Sequence, residues 1–188
     1  MGFVVFDQWQ IHDGTGRRKY TNAEERQRFL VQADKLAPSL KALCYALVYS
    51  GARISELLAM AVHQIDSEAS TITIHTLKRR RLKFRVIPVP PLIVSMLLAL
   101  PVLKDGRFWV IHRTTAWRTV KRVMDAAGIR GPMACNRGLR HGFGIRAAGC
   151  NVPPGTIQKW MGHASLNTTV IYLDAVGSEE QEFAKRMW

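Results

Sequence analysis

Along most of the chain apolar residues recur at helical spacing, and in one stretch they alternate. Thr21-x-x-Glu24 has the form of a capping box, and the pattern after it predicts a helix to about Lys35. Pro38 breaks that helix. Ser39 is placed to cap a second, Leu40–Tyr49, which is apolar nearly all round and therefore buried, with Gly51 as its stop. A short helix follows from about Ile54 to Met60. Residues 71–76, TITIHT, alternate and are β-branched, which predicts a strand. Phe84–Val89 predicts a second strand, joined to the first by a basic hairpin, Lys78–Lys83. Pro90 and Pro91 open a helix through Leu100. Further helices are expected over about Thr115–Ala127, ended by Gly128, and Leu139–Ala148, ended by Gly149. Another runs from Pro153 and Pro154 to about Met161, and a Ser165 cap opens one carrying Thr168 to Val176. Ser178-x-x-Gln181 is a second capping box, before a last helix with Phe183, Met187 and Trp188 on one apolar side. The fold class is therefore mainly α with a small antiparallel β-sheet or hairpin, without internal repeat or low-complexity linker. Three parts are expected: a flexible basic lead-in over 1–20, a folded unit over 21–177, and a C-terminal helix over 178–188.

Charge changes the picture by adding a partner. The 188 residues carry 27 Lys+Arg against 14 Asp+Glu, a net charge of +13. Such an excess points first to nucleic acid and second to an anionic membrane surface. Cys44, Cys135 and Cys150 form no CxxC pair, and their odd number argues against a disulfide framework or a zinc finger. A reducing cytoplasm fits them, and Cys44, inside an apolar helical run, reads as core. No run reaches about 18 continuous apolar residues, and the opening MGFVVFDQW is too short for a secretory signal. A cytoplasmic protein is expected.

Four segments carry candidate chemistry. In Gly51-Ala52-Arg53-Ile54-Ser55-Glu56 the (i, i+3) spacing lets Glu56 hold the Arg53 guanidinium, as an ordinary surface ion pair also would. Lys78 lies in a basic turn with Arg79, Arg80, Arg81, Lys83 and Arg85 nearby, a set suited to DNA phosphates. In Arg137-Gly138-Leu139-Arg140-His141 two cations sit three apart at a helix start, where backbone N–H groups also favour anions. His141 alone is more often structural than catalytic, and beside Arg140 it is expected among the DNA-contacting residues. The fourth segment is Trp160-Met161-Gly162-His163, then Thr168-Thr169-Val170-Ile171-Tyr172. A tyrosine in an apolar helix is by default core, its hydroxyl tied to some acceptor. No His/Asp/Glu cluster has metal-ligand spacing.

Singly each segment is weak. In their order and internal spacing they resemble the tyrosine recombinases, or phage-integrase family, over about residues 21–176. The nine-residue step from His163 to Tyr172 and the Glu three after the first Arg both match. The resemblance implies that family's DNA breaking-rejoining catalytic fold. It also implies a site-specific recombinase that cuts and rejoins DNA through a 3′-phosphotyrosyl link, without metal, ATP or other cofactor. By the same resemblance Arg53 and Arg140 clamp the scissile phosphate, Lys78 protonates the leaving 5′ oxygen, His163 hydrogen-bonds the phosphate, Tyr172 is the nucleophile and Glu56 orients Arg53. Two guanidinium forks suit the charge gathering on a phosphodiester under attack. A Tyr hydroxyl of pKa about 10 needs cations around it to ionise. The partners implied are double-stranded DNA and further copies of the chain, as a tetramer on two sites, with a monomer off DNA. No membrane or small-molecule partner is expected, and the protein is expected to be bacterial, or phage- or plasmid-encoded.

Three departures stand out. The usual His of the His-x-x-Arg box is Arg137 here, which cannot accept a proton; His163, His141 or water are then candidates, and Arg137 adds electrostatic stabilisation. The hairpin is slightly long, so Arg79 or Arg80 could occupy the place of Lys78. Only about twenty residues precede the first helix, where most relatives carry a separate DNA-clamping domain. The apolar C-terminal side would dock on a neighbouring protomer or on its own core. Other readings are a DNA-binding module without chemistry, a type IB topoisomerase-like relaxase, and an RNA-binding protein.

Overall fold

The computed structural model describes residues 10–76, 83–173, 184–185 and 187–188. Among the described residues eight α-helices and three short strands follow in order: α1 (Ala23–Ala33), α2 (Pro38–Ser50), α3 (Ile54–Leu58), β1 (Ile65–Asp66), β2 (Thr71–His75), β3 (Phe84–Pro88), α4 (Pro91–Leu98), α5 (Arg113–Ala126), α6 (Asn136–Gly149), α7 (Pro154–Met161) and α8 (Asn167–Val170). The mainly helical fold with a small antiparallel sheet is as expected. Helix α2 is the centre of it. Leu43, Cys44, Ala46 and Leu47 are all buried, and the helix packs against α1, α4 and α6. Burial pushes the Cys44 thiol up to about 12, so it behaves as a small core residue. Gly51 stops the helix in the left-handed conformation, φ 59°, which side chains with a Cβ adopt at a cost.

The sheet has the order β1-β2-β3, with Ile72 opposite Ile87 and Ile74 opposite Arg85. Strand β1, two residues long, went unforeseen because two residues carry no periodicity. Residues 77–82, among them Lys78, Arg79, Arg80 and Arg81 of the expected hairpin, lie outside the described residues, as does the second expected capping box, Ser178 to Gln181.

Several expected boundaries shift for physical reasons. The first capping box is Asn22 with Glu25, both halves made. Thr21 instead gives its N–H and hydroxyl to the carbonyl of Gly138 on α6, a contact 117 residues away in sequence. Ser39 is not a cap: Pro38 takes the first turn of α2, and the Ser39 carbonyl accepts the Trp109 indole N–H. Helix α8 ends at Val170, so Tyr172 lies in the turn beyond it, held by i→i+3 bonds from Tyr172 N–H to Thr169 and Leu173 N–H to Val170. The lead-in is not free from residue 11 on. Ile11 and Tyr20 are buried and form a second, smaller core with Ile145, Ile157, Met161 and Tyr172, while Arg18 pairs with Glu25 at 2.6 Å.

Candidate active site

Arg53 opens α3, and its guanidinium donates to Glu56 Oε1 at 2.9 Å while its own N–H donates to Glu56 Oε2. The expected ion pair is therefore present, but it is only half of the arrangement. Arg85 donates to both Glu56 oxygens from the other side, closest at 2.6 Å. Its remaining donors reach the Thr76 hydroxyl and the Trp160 carbonyl. Arg85 is 4% exposed, so the expectation that it contacts DNA is corrected. The cause is the parity of β3: Ile87 faces the core, so Arg85, two residues before, faces it too, while Phe84 and Val86 stand out in solvent. That parity was the signal available in the sequence. A buried cation needs a partner, and Glu56, equally buried, supplies it. Burial alone would raise the Glu56 carboxyl. The bonds from Arg85 and Arg53 outweigh it and hold the group below its ordinary value.

Arg140 lies on the second turn of α6 and donates to the carbonyls of Gly51 and Met161. Those two carbonyls belong to the end of α2 and the end of α7, so one side chain ties three helices. Burial, then Arg53, pushes the guanidinium down to about 9, which leaves it protonated at neutral pH. His163 follows the left-handed Gly162, and its Nδ1 shares a hydrogen bond with the buried Thr169 hydroxyl at 2.9 Å.

Tyr172 is 1% exposed. Its ring rests on Gly144, where a Cβ would come within 2.6 Å of the ring, and stacks against His163 at 6.0 Å. Its hydroxyl lies 3.1 Å from His141 Nδ1. Burial raises the hydroxyl to about 12; Arg140 and Arg53 pull the other way without overcoming it. Burial lowers both imidazoles to about 3, with Arg140 as the next cause for each, so both are neutral. His141 was expected among DNA-contacting residues; it is 3% exposed and turned to the phenol instead.

A cleft of about 300 Å³ gathers part of this set, without Arg85 or His163. Arg53, Arg137, Arg140, His141 and Tyr172 line it, together with Ser55, Arg113 and Asn136. The last three were not foreseen. Nothing in the sequence sets Arg113 apart from the other cations; only the start of α5 beside α3 brings it to the cleft. A second cavity of about 270 Å³, lined by Thr76, Lys83, Arg85, Lys159 and His163, opens where β2 and β3 lead toward residues 77–82. Among the described residues no group of three His, Cys, Asp or Glu side chains is placed to hold a metal ion, and no helix is long and apolar enough to cross a membrane. The cleft presents four guanidinium groups around one phenol, a setting for an anionic tetrahedral or trigonal-bipyramidal centre.

Comparisons with known proteins bear on the family and the fold. The phage integrase family model matches residues 19–178. A tyrosine recombinase of Thermosipho africanus (strain TCF52B) is 26% identical over 148 residues, covering 75% of this chain and 51% of that protein. Tyrosine recombinase XerA of Pyrococcus furiosus is 28% identical over 179 residues, covering 87% and 60%. The chain thus spans about half the length of the first curated relatives it matches. Among solved structures the XerA recombinase superposes with a TM-score of 0.77 at 23% identity, over 89% of this chain and 64% of that one. On the match over most of its length, the chain belongs to the phage integrase family.

Proposed function

We propose that this chain is the catalytic part of a site-specific DNA recombinase that cuts and rejoins one strand through a 3′-phosphotyrosyl link to Tyr172. The observation that carries the reading is the position of the Tyr172 hydroxyl on a cleft walled by Arg53, Arg137 and Arg140. A phosphodiester in that cleft would place its non-bridging oxygens against the guanidinium groups. The phenol gives up its proton to an acceptor beside it as its oxygen bonds to phosphorus, the bond to the 5′ oxygen breaks, and that oxygen leaves with a proton from Lys78. A 5′ hydroxyl attacking the phosphotyrosyl bond reverses the step. The bond energy stays in the ester, so rejoining needs no ATP. Glu56 and Arg85 fix the Arg53 end of the clamp, and His163 orients a phosphate oxygen. The net charge of +13 supports double-stranded DNA as the substrate, and the reading places the chain in the cytoplasm with that DNA. Four copies on two DNA sites would assemble the reaction, with the C-terminal residues docking on the neighbouring copy; Met187 and Trp188 are 82% and 86% exposed, whereas Phe183 lies outside the described residues.

The test is a nicked suicide substrate of the native site, or supercoiled plasmid where that site is unknown, resolved on a denaturing gel. A covalent adduct that disappears in Tyr172→Phe supports the reading. Tight binding with no adduct moves the chain to a DNA-binding role without chemistry. Relaxation of supercoils without site preference moves it toward a topoisomerase.

A further inference from the structure

We propose that His141 takes the hydroxyl proton of Tyr172 as the phenol attacks, a role that rests on Tyr172 being the nucleophile. Position 137, three residues before Arg140, holds an arginine, and a guanidinium offers donors only. An acceptor has to come from elsewhere, and the fold supplies one. His141 Nδ1 lies 3.1 Å from the Tyr172 hydroxyl, with the rings 5.8 Å apart and tilted by 59°. That is within reach for direct proton transfer. His163 meets Tyr172 differently: it lies nearly parallel to the ring, at 27°, and its Nδ1 is bonded to Thr169. His141 Nε2 is buried with no hydrogen-bond partner among the described residues, so the contact with Tyr172 is the bond that sets the ring.

The shared cleft couples this acceptor to the phosphate clamp. Arg140 and His141 line the same cleft, so a phosphate docked there on Arg140 lies near the imidazole. The charged groups acting on His141 are Arg140 and Arg137 of its own helix and Lys19 of the lead-in, with Tyr172 and His163 packed from the other side. Burial, and then all three cations, oppose a proton on the ring. A bound phosphodiester brings negative charge among the cations and offsets their share of that opposition, so transfer is favoured in the occupied cleft. In the step the Tyr172 O–H bond breaks and its proton moves to His141 Nδ1. The phenol oxygen bonds to phosphorus, and the 5′ oxygen leaves with a proton from a separate acid, Lys78 in the reading above. On rejoining, the displaced phenolate takes its proton back from His141.

The test compares wild type, His141→Ala and His141→Asn on two suicide substrates, one with the natural 5′ oxygen at the scissile bond and one with sulfur there. Sulfur leaves without needing a proton, so it separates the two ends of the transfer. His141→Ala is expected to slow adduct formation roughly 10²–10⁴-fold on both substrates, with duplex binding in a gel shift unchanged. The deficit should shrink as pH rises and hydroxide removes the proton. His141→Asn keeps the ring site polar and should be as slow; it carries the test if the alanine variant does not fold. Wild-type rates in a folded variant, or a defect cured by the sulfur substrate, overturn the assignment. A wild-type adduct that survives Tyr172→Phe, or no wild-type adduct on either substrate, overturns the nucleophile and this role with it. A Tyr172-dependent adduct indifferent to His141 overturns this role alone.

Discussion

The Glu56 carboxylate accepts bonds from two guanidinium groups and one backbone N–H. Removing its charge leaves Arg85 buried without an anion. Glu56→Gln should therefore cost about 3–5 kcal/mol in chemical denaturation, the range for breaking one side of a buried pair. The pH dependence has a definite sign. Glu56 ionises below its ordinary 4.5 in the folded chain, so its contribution is complete above that value and is lost as pH falls through the lower folded value. His141 and His163 act earlier. Unfolded they take up protons near 6.5, whereas folded they do so only near 3. Stability should fall as pH drops through that window, because the unfolded state binds the extra protons. Urea midpoints measured from about pH 8 to about pH 4 should show the decline, and His141→Gln should make it shallower. A flat wild-type profile would contradict the burial of the two imidazoles.

At the scale of elements, α6 works because it lacks side chains where others close in. A Cβ on Gly138 would meet the Met133 carbonyl, one on Gly142 the backbone of Thr21, and one on Gly144 the Tyr172 ring. Gly144→Ala has to displace Tyr172 from beside Arg140. It is expected to cost about 1–3 kcal/mol through overpacking and, if the ring moves by about 1 Å, about 10²-fold in adduct formation. Gly155 on α7 has open space around its Cβ position, so Gly155→Ala should change neither by much. Equal losses in both variants, in parallel melts and adduct assays, would sink the steric argument. The short turn after α8 belongs to the same fit: its i→i+3 bonds bring Tyr172 in toward Gly144.

For the whole molecule the question is which of 27 cations meet DNA. Arg113 lines the cleft and is open to solvent, whereas Arg85 is spent on Glu56. If each phosphate contact contributes about 0.9 to the slope of log affinity against log salt, Arg113→Ala should lower the slope by about that much. Arg85→Gln should leave the slope unchanged while lowering the denaturation midpoint. A reduced slope in Arg85→Gln would restore it as a DNA contact. Deleting residues 178–188 should weaken DNA-dependent assembly, read by sedimentation with and without duplex, and leave the monomer folded; an unfolded monomer would place that segment on its own core.

Much of this protein is legible one segment at a time. The buried α2, the left-handed stop at Gly51, the antiparallel pair β2–β3 and the Arg53–Glu56 pair all follow from residues a few positions apart. Local periodicity and helical spacing carry that information. The tertiary structure decided what depends on distant partners. Arg85 turns inward because an acid 29 residues away and a carbonyl 75 residues away receive it. His141 faces Tyr172 across 31 residues, Thr21 is drawn from its cap by Gly138, and Ile11 and Tyr20 join the core under the nucleophile candidate. A polar side chain's place is settled by the group that compensates its burial, and for Arg85, Arg140, His141 and Thr21 that group comes from a distant part of the sequence.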